Sequence, residues 1–492
     1  MNGKRKSGQT RRITEMAKHT VAPTSLSAPR IACTYLDEPS LLFCGNREHV
    51  SARTGITLFG PRSLDMPERH PDITRVGFIG SGASTESAYQ WLISCLLGVA
   101  GDSEHDAFPG YTDRQGFYAS LTFSDRWNEQ ITQNDLRAVT QHRSRKERFT
   151  AALELVSDKV RSLSHQDSPP NYLILALPDD LLVHCETVDY TEAKQPIHRD
   201  FRRALKAEAM QYRLPTQILR QRTTEATPEN QEVDHKSRVA WNVFSSLYFK
   251  VGGIPWSPKG LTTGTCYVGI SFFRPLGSAS TLCTSLAQAF NEYGDGLVLR
   301  GQDFLWDAKA HGSSPHLNQD QAKTLIDQVL KQYQETVKQQ PRRVVIHKSS
   351  RFWPAEREGF QDALRGIPSY DLVAVRPNNR VRLLREGQYP PLRGTAFMVD
   401  DIRYLYTTGF IPALNAYPHG HVPSPLQVAD YIGDTPLTTI LEEILLLTKM
   451  NWNTTAFADL RPITLRFSQL VGDIMREIPA NREPLPQFKF YM

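Results

Sequence analysis

From Thr265 onward the chain alternates strand and helix, and that alternation most narrows what it can fold into. An apolar strand over residues 266–273 and a second strand near 296–300 precede an amphipathic helix. In that helix Ala322, Leu325, Ile326, Val329, Leu330 and Tyr333 recur at i, +3, +4, +7, +8 and +11, one face of a 3.6-residue helix. Asn318, with Gln321 three residues on, is a helix-start signature. A strand at 343–347, a helix at 355–364 and a strand at 371–375 follow, with closing helices near 437–448 and 465–475. Helices interleaved with apolar strands must cover a sheet, so the region is an α/β layered domain.

The preceding region reads as β-α-β. A strand at 172–177 ends at Pro178-Asp179-Asp180, a basic helix spans 200–212, and a helix at 239–249 stops at Gly252-Gly253. Earlier, the strand 76–79 runs into Gly80-Ser81-Gly82 and a helix at 86–97, like the opening of a dinucleotide site. The third glycine of that fingerprint is missing and no acidic residue marks a second strand, so a plain strand-to-helix turn is the better reading. A nucleotide- or dinucleotide-dependent α/β enzyme using this turn is the alternative function.

The 40% hydrophobic and 22% charged content fits a globular protein. No apolar run approaches the roughly 20 residues of a membrane span. The polar, basic N-terminus is not a secretory signal. Six scattered cysteines form no CxxC pair, which argues against a zinc ribbon and makes a reducing cytoplasm the expected compartment.

Formal net charge is +5, but residues 1–30 alone carry seven Lys/Arg and one Glu. The remainder is therefore nearly neutral, and a polyanion site must come from local clustering. Residues 1–30 are expected to be a disordered tail. The clustering lies between Lys194 and Arg222, with eight Lys/Arg against two acids. Arg199, Arg202, Arg203 and Lys206 fall at i, +3, +4 and +7, one stripe if all are helical. Thr216 and Gln217 sit in the following Leu-Pro-Thr-Gln turn, and Lys250 ends the next helix. Lysine point charges, forked arginine donors and a Gln oxygen beside a divalent cation suit a terminal phosphate.

In this order, Arg202, Lys206, Gln217 and Lys250 resemble the pocket of an Argonaute MID domain, which pins the 5′ end of a guide strand. The later half resembles a PIWI domain. Tyr267-Val-Gly-Ile-Ser-Phe-Phe is similar to its first strand, with Ser271 at the first catalytic Asp position. The strand from Arg343 to Phe352 carries Ser349 at the second, and Pro462-Ile-Thr-Leu-Arg-Phe-Ser-Gln carries Gln469 at the last. LYTTGFIP from Leu405, His421-Val-Pro-Ser-Pro and LTKMNWN from Leu447 match later landmarks.

The resemblance implies a Rossmann-like MID domain over 31–255, including an N-terminal lead-in, and an RNase H-like PIWI domain over 256–492. It implies a short prokaryotic Argonaute without N and PAZ domains. The 5′ phosphate would contact Arg202, Lys206, Thr216, Gln217 and Lys250. Mg2+ at the guide end would take Gln217 and the terminal carboxylate of Met492. Arg199, Arg203, Lys348, Arg351 and Arg466, with Arg274 as a further candidate, would meet guide or target backbone. Ser271, Ser349 and Gln469 imply a lost nuclease site. Asp303 and Asp307 are expected in surface or turn roles. The implied partners are a small guide RNA, complementary target DNA and an APAZ-domain effector (TIR, Sir2 or nuclease), with no membrane.

Overall fold

A computed structural model describes residues 31–492 except 193, 226–233, 278–280, 291–295, 307–311, 313, 379, 419–420 and 480–481. The expected tail over 1–30 and Asp307 lie outside the described residues.

Two sheets organise the chain. The first has four parallel strands, β1 (Ile73–Gly80), β2 (Ser120–Gln130), β3 (Tyr172–Ala176) and β4 (Thr216–Ile218), in the order β4-β3-β1-β2. Every residue of β3 is buried, as a strand covered on both faces requires. The doubly wound order puts a crevice at the carboxyl ends of the strands. Helices α1 (Gly82–Leu96), α2 (Arg145–Ser164), α3 (Phe201–Ala209) and α4 (Lys236–Lys250) belong to this half.

The second sheet has ten strands. Its centre is β5 (Thr265–Phe273), β7 (Arg343–Lys348) and β8 (Ser369–Pro377), mutually parallel and flanked by antiparallel neighbours. Alternate residues face opposite layers. Val268, Ile270, Val344 and Ile346 pack with α5 (Gln319–Val337) and α6 (Pro354–Ala363). Tyr267 and Val345 join the cluster of α7 (Leu437–Leu447) and α8 (Ile463–Met475). A Cβ on Gly269 would lie 2.1 Å from the Thr464 carbonyl oxygen, so only glycine lets α8 approach β5 this closely. Asn318 caps α5 with the reciprocal Gln321 bond that the sequence predicts.

Three features depart from the sequence reading. Strand β6 (Thr281–Phe290) intervenes between the two expected strands, and the second of these shortens to Gly296–Val298 on its far side. Arg199 lies on the strand Gln195–Asp200, paired with Thr187–Glu192, so the helical basic stripe starts only at Arg202, two residues after the α3 cap Asp200. The lead-in also crosses the 255/256 boundary. The strand Cys33–Tyr35 pairs with Thr395–Val399 at the edge of the large sheet, and Leu41–Leu42 pairs with Ser257–Pro258.

One apolar cluster runs between the halves, from Trp91, Trp241 and Phe244 to Tyr267 and Phe467. Phe488, Phe490, Tyr491 and Met492 complete it. Phe488 stacks on Phe467 at 4.0 Å and lies 6.4 Å from Phe249, pinning the final residues between α4 and α8.

Candidate nucleic-acid interface

Helix α3 points its cations three ways. Asp200 accepts the Arg203 amide at 2.9 Å and starts the helix, while Phe201, Ala204, Leu205 and Ala209 bury its apolar face. Arg202 stays exposed and lines a cleft of about 450 Å³. Arg203 pairs with Asp473 of α8 at 3.0 Å. Lys206, one turn beyond Arg202, is buried at 5% exposure. Arg199, just before the helix, pairs with Glu477 at 2.8 Å and lies over the Phe149 ring. Arg199 and Arg203 therefore tie the first half to the segment around α8, where an open backbone-contacting stripe was expected.

Lys206 meets Lys250, the fully buried last residue of α4. Both ammonium groups donate to the Thr216 carbonyl oxygen, at 3.4 and 3.1 Å. Lys250 also donates to Gln217 Oε1 at 2.8 Å, and Lys206 to the main-chain oxygen of Met492. Among the described residues, neither lysine has an acidic side chain within ion-pair distance. Burial, with the Arg202 guanidinium adding to it, pulls the Lys250 ammonium down to about 7. Burial, then Lys250 and Arg202, holds Lys206 well below the ordinary lysine range. Two buried ammonium groups and Arg202, with no acidic side chain paired to either lysine among the described residues, form a receptor for an anion.

The cleft continues from Arg202 and Gln217 past Arg220, Arg222 and Asn242. It opens at the end of β4, on the carboxyl side of the small sheet.

A second locus forms at the carboxyl ends of β5 and β7. Ile270 is opposite Lys348, so the next residues, Ser271 and Ser349, stand on neighbouring strand ends. Ser271 Oγ donates to the Ser468 carbonyl oxygen at 2.8 Å, placing Gln469 of α8 beside it in sequence. Gln469 accepts from Arg461 at 2.7 Å. The nearby carboxylate of Asp430 accepts the Phe352 amide at 3.3 Å.

Of the cations expected here, Lys348 is 1% exposed and bonded to both oxygens of Glu356, at 2.7 and 2.5 Å. It lies in a buried ion pair, away from the surface position expected for a phosphate contact. Arg466 is 3.4 Å from Asp459, and Arg351 is exposed. Arg274 follows β5 and is half-buried. Asp303 lies in a short strand, 3.5 Å from Arg300.

No protein-family model and no curated protein matches the sequence. Solved structures do match in fold. Clostridium butyricum Argonaute, bound to a guide DNA and a 19-mer target DNA, aligns with a TM-score of 0.63 at 16% identity, over 92% of this chain and 54% of that one. A. aeolicus Argonaute aligns with a TM-score of 0.55 at 16% identity, over 93% and 55%. The chain has an Argonaute-like fold. It spans just over half the length of these structures.

In this MID-PIWI architecture the small sheet is the MID-like layer and the large sheet the PIWI-like layer. The Gly80-Ser81-Gly82 turn of the MID-like layer is closed by its own side chains. Ser81 and Ser84 form a reciprocal capping box, and Ser84 Oγ donates to the Ala176 carbonyl oxygen at 2.6 Å. A Cβ at Gly80 would lie 2.2 Å from that same oxygen. The glycine serves strand–helix packing, and the amides a pyrophosphate would need are partly engaged. Sequence reasoning counted Arg220 and Arg222 only as part of the basic cluster and missed Asn242. The two arginines sit at the start of the short helix Gln221–Thr224 and Asn242 on α4, and the cleft they share exists only through the fold. Among the described residues, Asp102, His105 and His235 have metal-compatible spacing, and none of the expected metal positions is among them. No described helix is long and apolar enough to cross a membrane.

Proposed function

We propose that this chain is the guide-RNA-binding, target-DNA-recognising subunit of a prokaryotic short Argonaute defence system. The observation that carries the reading is the buried pair Lys206 and Lys250, sharing the Thr216 carbonyl oxygen without an acidic side chain for either among the described residues. A terminal phosphate, carrying about two negative charges, supplies the counter-charge that the single Met492 carboxylate leaves unmet. Lys206 and Lys250 act as point charges, and Arg202 at the cleft mouth is a forked donor. Thr216 and Gln217 fix the lysines' direction.

Magnesium belongs to the same reading. The Gln217 amide oxygen and the Met492 terminal carboxylate are hard oxygen donors of the kind this ion takes together with phosphate oxygens. One carboxylate beside two ammonium groups fits the ion only in the phosphate's company. When bound, the ion would neutralise phosphate charge and draw the guide end toward the last residue.

Base pairing then supplies sequence specificity, while the protein reads backbone and end chemistry. Cutting is assigned to another polypeptide. Two-metal hydrolysis needs carboxylates or imidazoles converging on ions about 4 Å apart, and Ser271, Ser349 and Gln469 offer two hydroxyls and an amide. An APAZ-domain protein with a TIR or Sir2 NADase, or a nuclease, is the proposed effector, switched on by target binding in the cytoplasm.

The test is to purify the chain, measure A260/A280 and identify what is bound. Short 5′-phosphorylated RNA is expected, with no cleavage of a matched target in magnesium or manganese. A bound dinucleotide without RNA would favour an enzyme instead, and cutting opposite the guide centre would end the inactive-nuclease reading.

A further inference from the structure

Trp353 is a large aromatic side chain left 45% exposed at a functional-looking edge. It follows β7 by a few residues, past Ser349 and the exposed Arg351. One face of its indole is covered by the His316 imidazole, with ring centres 3.9 Å apart and planes 14° from parallel. The Trp306 ring meets His316 edge-on at 4.6 Å from behind. Since one face is stacked, the exposure belongs to the opposite face and the edge.

The platform is anchored from below. Glu356, three residues beyond Trp353, bonds to Lys348 of β7 and accepts the Leu317 amide at 3.1 Å, next to His316. One buried carboxylate thus holds the strand end, the start of α6 and the His316 segment together. A flat π surface fixed in advance loses little conformational freedom when a second ring settles on it. Stacking tolerates every base, because each has a π face.

We propose that Trp353 is a stacking platform for an unstacked nucleobase of the oligonucleotide lying across the ends of β5 and β7, with Arg351 gripping a neighbouring phosphate. This rests on the nucleic-acid reading above and adds a base contact at the strand end that carries Ser271 and Ser349. A protein partner docking on the indole is the competing outcome.

The full chain loaded with a 5′-phosphorylated guide is titrated with matched strands carrying 2-aminopurine at successive positions of guide and target. In the unmodified protein one position should be quenched by the indole. W353A should abolish that quenching and weaken target binding roughly five- to hundredfold, while W353F restores most of the affinity without the indole's quenching. R351A should weaken binding at every base identity alike and keep the quenching. Unchanged affinity in W353A with no quenched position in the unmodified chain overturns the platform, even if the 5′-phosphate preference stands. Loss of a protein partner in W353A, with strand binding intact, also overturns it. An unmodified chain that binds no strand sinks this proposal and the reading beneath it.

Discussion

Two of the places where this molecule buries lysine differ in who answers the charge. Lys348 is matched by Glu356, a carboxylate as deeply buried as itself, so the pair is complete within the fold. Lys206 and Lys250 are buried just as firmly but receive only neutral oxygens and the main-chain oxygen of Met492. Burial alone therefore does not mark a binding site. Counting partners does, because an ammonium removed from water needs an anion from somewhere.

The sharpest way to break this contrast is Lys348→Met. It leaves Glu356 buried without a partner and should cost about 3–5 kcal/mol of unfolding free energy, read by urea titration. The fraction that folds should keep its preference for a 5′-phosphate. If that preference disappears as well, the two lysine sites are not separate. Next is Lys206→Ala with Gln217→Ala. Removing charge-assisted contacts worth about 1.5–3 kcal/mol each should cut discrimination between 5′-phosphate and 5′-hydroxyl guides roughly a hundredfold. Competition binding decides it, and an unmodified chain that ignores the phosphate would contradict the assignment.

Acid probes the self-satisfied side. His347 is buried, with Thr464 Oγ1 at 2.8 Å from Nδ1. Burial, with Arg343 adding to it, holds its imidazole down at about 3. Above about pH 6.5 the residue is neutral folded or unfolded, so stability is full there. Below that value the unfolded chain takes up the proton first, and stability is lost progressively toward pH 3. The His347 contribution should be about 2 kcal/mol at pH 5, seen as a shallower pH slope in His347→Gln. The smallest effect expected is from adding residues after Met492, which should weaken guide binding about tenfold through one lost charged contact. Unchanged affinity would count against a carboxylate role.

Much of the layered architecture was legible because local signals agreed. Helix α5 shows apolar period, cap and length together, and strand β7 carries the β-branched run Val344-Val345-Ile346 at its centre. Strand β6 escaped because Thr281–Phe290 mixes small and polar residues and leans on antiparallel neighbours. Arg199 was misplaced because charge spacing continues across the cap at Asp200 although the backbone changes conformation there. Lys348 was expected at the surface because its sequence neighbours are polar, and nothing local says that Glu356 faces inward. Lys206, Thr216, Gln217 and Lys250 converge from a helix, a strand and another helix's end. Their order along the chain suggested a grouping, but their shared geometry around one carbonyl oxygen exists only in three dimensions.

The strand Cys33–Tyr35 carries a further consequence. It leaves the ribosome early, yet the neighbour that satisfies its backbone, Thr395–Val399, is synthesised far later. Until then a bare β-edge is available to any other unfinished copy, a recognised route to misassembly. Slow translation of the middle of the message should therefore lower the yield of soluble protein more than slow translation near its end.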